Sequence, residues 1–249
     1  MINVVRIRPL EAADVGRAAA LHHDELDMEF LTRYGLAFLR TYYRAWLEAP
    51  DAIALAAVDR NGDLVGVLLG ATDPKVHVRG MVRRHGTRLG ARIVSHAVAH
   101  PTLAKDLVAS RGIRYTRGVA RVVAARFQFL TRSPSDKVAG PLIAEITHVL
   151  VQHARQGMGI GRMLVQAAVA EARAGGREEM VLVTPPDLAA RSFYQRLGWL
   201  ADKEITSRSG EPFVRFRLPL SRPPTSDQES PPLPAESVGG PYLRTDRTR

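Results

Sequence analysis

There is no cysteine among the 249 residues of this chain. Disulfides, thiolate metal sites and a cysteine nucleophile are therefore excluded, and the composition fits a reducing compartment. No apolar run approaches the roughly 18–20 residues of a membrane-spanning helix. The opening residues, MINVVRIRPL, contain no basic stretch leading into an apolar core, so no secretory signal is expected and the chain is expected to be cytoplasmic. Acidic residues are nearly missing from one long segment. Between Lys75 and Arg132 thirteen Lys or Arg residues stand against a single acid, Asp106. That segment carries +12 of formal charge against +10 for the whole chain, so the remainder is slightly acidic and the basicity belongs to one place.

What is present is an alternation of strand and helix patterns. Val4–Arg8 predicts an opening strand closed by Pro9, and Asp14 is placed to cap a helix through Leu21. Apolar residues recur at helical spacing from Met28 to Leu47. Residues 53–58 and 64–69 are apolar runs joined by a turn containing Asn61-Gly62, a strong hairpin signal. Lys75–Arg132 reads as largely helical, with a second helix from about Ile113 to Leu130 that places Arg114, Arg117 and Arg121 on one face. A strand follows at Leu142–Val151, then a glycine-rich turn, a helix Ile160–Ala174 stopped by Gly175-Gly176, and a strand at Met180–Val183. A helix capped by Asp187 and two last strands complete the pattern. The order predicts an α/β protein with a mixed central sheet, flanking helices and a basic helical insert at 75–132, between the third and fourth strands. Residues 1–220 are read as one domain. From Ser221 onward six of 29 residues are proline and aliphatics are few, which predicts a disordered tail.

The turn Gln156-Gly157-Met158-Gly159-Ile160-Gly161-Arg162 lies between a strand and a helix. Glycines let the backbone bend sharply and let a diphosphate approach, and a helix start offers unpaired N–H groups at its positive end. The pattern alone fits several phosphate binders. A Walker A loop is excluded, because no Lys-Ser/Thr follows the last glycine. A dinucleotide site is disfavoured, because the next strand ends in Thr184-Pro185-Pro186 rather than in an acid.

The neighbouring residues narrow the reading. The turn has the form Gln-x-x-Gly-x-Gly after an apolar strand, and further on stand Asp187, Ala190, Tyr194, Leu197, Gly198 and Trp199. This arrangement resembles the two best-defined motifs of the GNAT superfamily of acyl-CoA-dependent N-acetyltransferases, over Leu142 to Trp199. The resemblance implies a GNAT fold and acetyl-CoA as acyl donor, with no metal. It implies that Gln156, Gly157, Met158, Gly159, Ile160 and Gly161 bind the CoA pyrophosphate through backbone N–H groups, with Arg162, and Arg155 beside it, adding charge. It implies that Val149 and Val151 pair their main chain with the pantetheine arm. Asp187 stands where the family usually has Asn, and serves equally as a plain helix cap.

Two catalytic candidates follow. Tyr194 is the candidate proton donor for the departing CoA thiolate, since a phenol is reasonably matched to that leaving group, the alternative being a helix-face aromatic that packs beside Phe193 and Leu197. The acceptor amine must lose a proton before attack, and Glu145, eleven residues before Gln156, has the spacing of a general-base glutamate in histone acetyltransferases of the superfamily. By period two, Glu145 is expected to share a face with Thr147 and Val149, and His148 to project from the other. The expected reaction is acetyl transfer to a primary amine of a small molecule, an amino sugar or biosynthetic intermediate being the preferred kind. The alternatives are an acyl-CoA-binding module without turnover and a protein N-acetyltransferase. The basic insert favours an anionic acceptor over a membrane surface. Nucleic acid ranks last, since Tyr115 and Phe127 are the few aromatics among its cations.

Overall fold

β2 (Ala52–Val58) and β3 (Leu64–Ala71) are nearly continuous runs of Val, Leu, Ile, Ala and Gly. Strands of that composition bury both faces, and these two sit inside a seven-stranded sheet of order β1-β2-β3-β4-β5-β7-β6. The computed structural model describes residues 5–26, 31–99, 142–206 and 212–220. The remaining elements are β1 (Arg6–Pro9), α1 (Val15–Glu25), α2 (Gly35–Leu47), α3 (Pro74–Ala99), β4 (Ile143–Val151), α4 (Ile160–Ala174), β5 (Glu179–Thr184), α5 (Leu188–Arg196), β6 (Leu200–Thr206) and β7 (Pro212–Pro219). β4 and β5 pair in parallel, and the other described neighbours are antiparallel.

Each face of the sheet has its own core. On one, Leu164, Val165 and Ala168 of α4 pack with Leu55, Leu68, Met180 and Phe216, and Tyr194 and Trp199 join them. On the other, Leu39, Tyr43 and Trp46 of α2 pack with Ala18 and Ala19 of α1 and with Val67, Leu69 and Leu150. Each fully buried Leu, Val or Phe contributes about 1.5–3 kcal/mol. α3 follows β3, where the insert is expected, and turns His77, Met81, His85, Leu89 and Ile93 inward at intervals of four. The expected helix with Arg114, Arg117 and Arg121 and the tail from Ser221 lie outside the described residues.

Three local expectations are corrected. Pro9 belongs to β1 and pairs with Leu55, a position open to proline because β1 is an edge strand. Asp14 precedes α1 but its side chain does not cap it. The carboxylate is fully buried, accepts from the Glu11 N–H at 3.0 Å, and binds Arg8 at 2.6 Å and Arg17 at 3.0 Å. It ties β1 to α1. The helical periodicity that begins at Met28 also overshoots. The chain passes through a 3₁₀ turn at Thr32–Tyr34, and Gly35 has φ of 78°, so α2 begins there.

The correction that matters for function is a bulge in β4. Against β3, Glu145 pairs with Ala71, Ile146 with Gly70, and His148 with Leu69, so Thr147 is the extra residue. A Cβ on Gly70 would stand 2.7 Å from the Glu145 carbonyl oxygen, and the bulge therefore needs glycine opposite it. Beyond Thr147 every side chain changes face. Glu145, His148 and Leu150 point to the α1/α2 side, while Val149 and Val151 pack with the α4 core. The expected alternation, with Glu145 and Val149 together and His148 opposite, does not hold.

Candidate active site

The chain leaves β4 through a 3₁₀ turn at His153–Arg155 and enters α4 through the glycine loop. Gly157 and Gly159 have φ of 77° and 81°, left-handed conformations that let the loop fold back onto the start of the helix. Ile160, Gly161 and Arg162 open α4, so their N–H groups have no acceptor within the helix and sit at its positive end. The Arg162 guanidinium reaches back to 3.7 Å from where a Gly159 Cβ would lie.

Not every residue of the loop is available to a ligand. The Gln156 N–H donates to the His153 carbonyl at 3.1 Å. Its side-chain amide donates to the Val151 carbonyl at 3.1 Å and to Glu25 at 3.3 Å. Gln156 is therefore a brace between strand end and loop. Arg155 lines the cavity into which the loop opens and also pairs with Asp59 at 3.4 Å, in the turn between β2 and β3. Glu25, the last residue of α1, also accepts from the His153 N–H at 2.6 Å. Sequence reasoning missed Glu25, since nothing local marks a residue 128 positions from its partner.

The loop opens into a cavity of about 1470 Å³ between α4 and α5. Val149, Val151, Gln156, Gly157, Met158, Gly159, Ile160, Gly161, Arg162, Asp187 and Tyr194 all line it. Phe193, Trp199, Arg173 and Arg196 line it as well and were not anticipated. Asp187 caps α5, accepting from the Ala189 and Ala190 N–H groups at 2.9 and 3.3 Å. The ladder between β4 and β5 ends at Ile146 and Leu182, although β4 runs on to Val151 and β5 to Thr184. The strands part there, and among the described residues no strand pairs with residues 147–151 on the β5 side. A gap flanked by an unpaired strand edge, a glycine loop and a helix start fits an extended amide chain carrying a diphosphate.

Tyr194 packs edge-on against Phe193 and Trp199 and lies tilted against Phe216, at ring distances of 4.9, 5.9 and 5.6 Å. Burial pushes its phenol up to about 12, so it stays protonated across the physiological range. Glu145 does not line the cavity. It lies on the opposite face, where burial pushes its carboxyl up and Arg215 pulls it partly back. Arg215 is itself shared with Asp202 at 3.4 Å and Glu179 at 3.8 Å. Among the described residues, no group of three His, Asp or Glu side chains could hold a metal ion, and no helix is long and apolar enough to cross a membrane.

Residues 119–199 match the acetyltransferase (GNAT) family. No curated protein matches the chain by sequence. Among solved structures, yncA from Salmonella typhimurium, determined with its cofactor acetyl-CoA, is similar at a TM-score of 0.53 and 16% identity, over 91% of this chain and 99% of the other. A spermidine N-acetyltransferase chimera of Vibrio cholerae SpeG and hSSAT gives 0.53 and 13%, over 87% and 95%. A chain of the NatC complex bound to Gag peptide and CoA gives 0.50 and 15%, over 87% and 99%. The family match thus covers residues 119–199, and the chain shares its fold with these acetyltransferase structures.

Proposed function

We propose that the protein transfers the acetyl group of acetyl-CoA to a primary amine of a small molecule, by direct attack, within one catalytic domain spanning residues 1–220. The observation that carries this reading is the gap between β4 and β5, with the cavity on one face of the sheet and Glu145 on the other. Donor and acceptor thus reach the gap from opposite faces. The amides of the glycine loop and the start of α4 hold the diphosphate, and the edge of residues 147–151 holds the pantetheine. Glu145 takes a proton from the ammonium form of the acceptor, and the freed nitrogen attacks the acetyl carbonyl carbon. As the carbon–sulfur bond breaks, Tyr194 gives its proton to the thiolate. The sum is amide plus thiol, with one proton passed to solvent.

A panel of small primary amines and peptide N-termini, assayed for CoA thiol release, tests the acceptor class. Release with a small amine is expected. Release with peptides alone would favour a protein acceptor, and acetyl-CoA binding without release from any amine would favour a binding module.

Glu145→Gln separates function from stability. A carboxyl raised by burial favours the folded state while protonated, and that contribution is lost as pH rises through its folded value. The uncharged amide should therefore raise Tm by a few degrees at pH 7–8 and give no gain near pH 4. Acetyl transfer should fall by about 10²-fold or more at neutral pH and recover as pH rises, because the free amine then needs no base. Equal Tm values at both pH values, or undiminished transfer, would remove Glu145 from this role.

A further inference from the structure

The bulge at Thr147 has a second consequence on the α1/α2 face. Glu145 and His148 oppose Ala71 and Leu69, which are two residues apart on β3. Their Cα atoms are therefore about 7 Å apart on one face, as close as same-face neighbours in a regular strand. His148 is 8% exposed, and its Nε2 shares a hydrogen bond of 3.1 Å with the Tyr42 hydroxyl. Its ring meets that of His22 at 5.0 Å, and His22 Nδ1 in turn lies 3.1 Å from the Tyr43 hydroxyl. The two imidazoles and these two phenols thus sit in a core built mostly from Leu, Val and Ala, with Tyr34, Phe38 and Trp46. Polar groups in such a core are costly even when bonded, and an aliphatic side chain would fill the position at less cost.

We propose that Glu145 and His148 work as one proton-handling pair on the acceptor face, with Tyr42 holding the imidazole in place. This rests on the reading of Glu145 as the base, and His148 acts through it as a positioning residue. Among the described residues, Arg215 of β7 faces Glu145, His22 of α1 and Tyr42 of α2 face His148, and Tyr43 of α2 reaches the pair through His22. From α3, His77 lies tilted against Trp46 with its Nδ1 3.2 Å from Asp51, and burial lowers its imidazole, so it brings no charge to the pair. An imidazolium at His148 favours the Glu145 carboxylate, and a Glu145 carboxylate favours the imidazolium by the same amount. The pair thereby keeps a desolvated base ionised to lower pH than burial alone would allow.

The test needs no acceptor. Glutamate side chains labelled with ¹³C are titrated by NMR, the Glu145 signal being the one missing from Glu145→Gln. His148→Gln keeps a donor for Tyr42 but carries no charge, and it should move the Glu145 midpoint up by about one pH unit. In Glu145→Gln the His148 imidazole midpoint, followed with labelled histidine, should move down by a similar amount. An unmoved Glu145 midpoint in folded His148→Gln overturns the proposal. Should that variant fail to fold, an unmoved His148 midpoint in Glu145→Gln does the same. If the titrations are coupled yet Glu145→Gln transfers acetyl at the wild-type rate, the pair stands and the base assignment fails. If they are uncoupled and Glu145→Gln is slow, the base stands alone.

Discussion

Tyr194→Phe is expected to slow acetyl transfer by about 10²–10⁴-fold, the usual contribution of a positioned proton donor. Phenylalanine keeps the ring contacts with Phe193, Trp199 and Phe216, so neither the fold nor the cavity wall should change. Acetyl-CoA affinity by calorimetry should therefore stay the same while single-turnover thiol release falls. Because burial holds the phenol at about 12, wild-type turnover should show no alkaline limb from this group between pH 7 and 10. Transfer in Tyr194→Phe close to the wild-type rate would reduce Tyr194 to a packing residue, and an alkaline limb near pH 10 would mean that its hydroxyl is better solvated than its burial implies.

Asp14→Ala should be the most damaging of the substitutions away from the cavity. Removing one partner of a buried ion pair leaves the others with unmet charge and typically costs about 3–5 kcal/mol. Arg8 and Arg17 are partly exposed, which places the expected loss near the lower end of that range. Burial pushes the Asp14 carboxyl up, but the Arg8 hydrogen bond, the Glu11 N–H and the two guanidinium charges outweigh it, so the group titrates below the ordinary range. Its stabilising contribution is present above the ordinary aspartate value and is lost as pH falls through the folded one. Urea unfolding at pH 7 should show the full loss, and the gap between variant and wild type should narrow toward pH 3. A loss under about 1 kcal/mol at pH 7 would place the site among ordinary surface pairs.

The glycine loop, α4 and the Asp187 cap were legible because their signals are local. A turn, a helix start and a cap are each written within a few consecutive residues. Asp14 also carried a cap signal, but its carboxylate turned instead to two arginines, since a buried acid gains more from charge than from one N–H. The Met28–Leu47 periodicity reported which side chains would be buried and said nothing of the backbone, which Gly35 diverts. The bulge at Thr147 was hidden for a deeper reason. It is a property of how β4 meets β3, set by Gly70, some 75 positions away. One extra residue then moved His148 beside Glu145 and left the strand pattern looking regular. Glu25, which pins the loop from α1, was out of reach of sequence for the same reason.

The central claim is that the cavity behind the glycine loop binds acetyl-CoA by its diphosphate, and Gly161→Glu tests it most directly. A Cβ there would make ordinary contacts, 3.5 Å to Phe193 and 3.7 Å to Val151. An acid in the first turn of α4 also suits the helix dipole, so Tm should hold or rise slightly. The same carboxylate would stand where the diphosphate must lie, and like charges at that distance cost several kcal/mol. Calorimetry should show acetyl-CoA affinity falling by about a hundredfold or more in a variant as stable as wild type. Unchanged affinity in that folded variant would contradict the placement of the diphosphate, and with it the site.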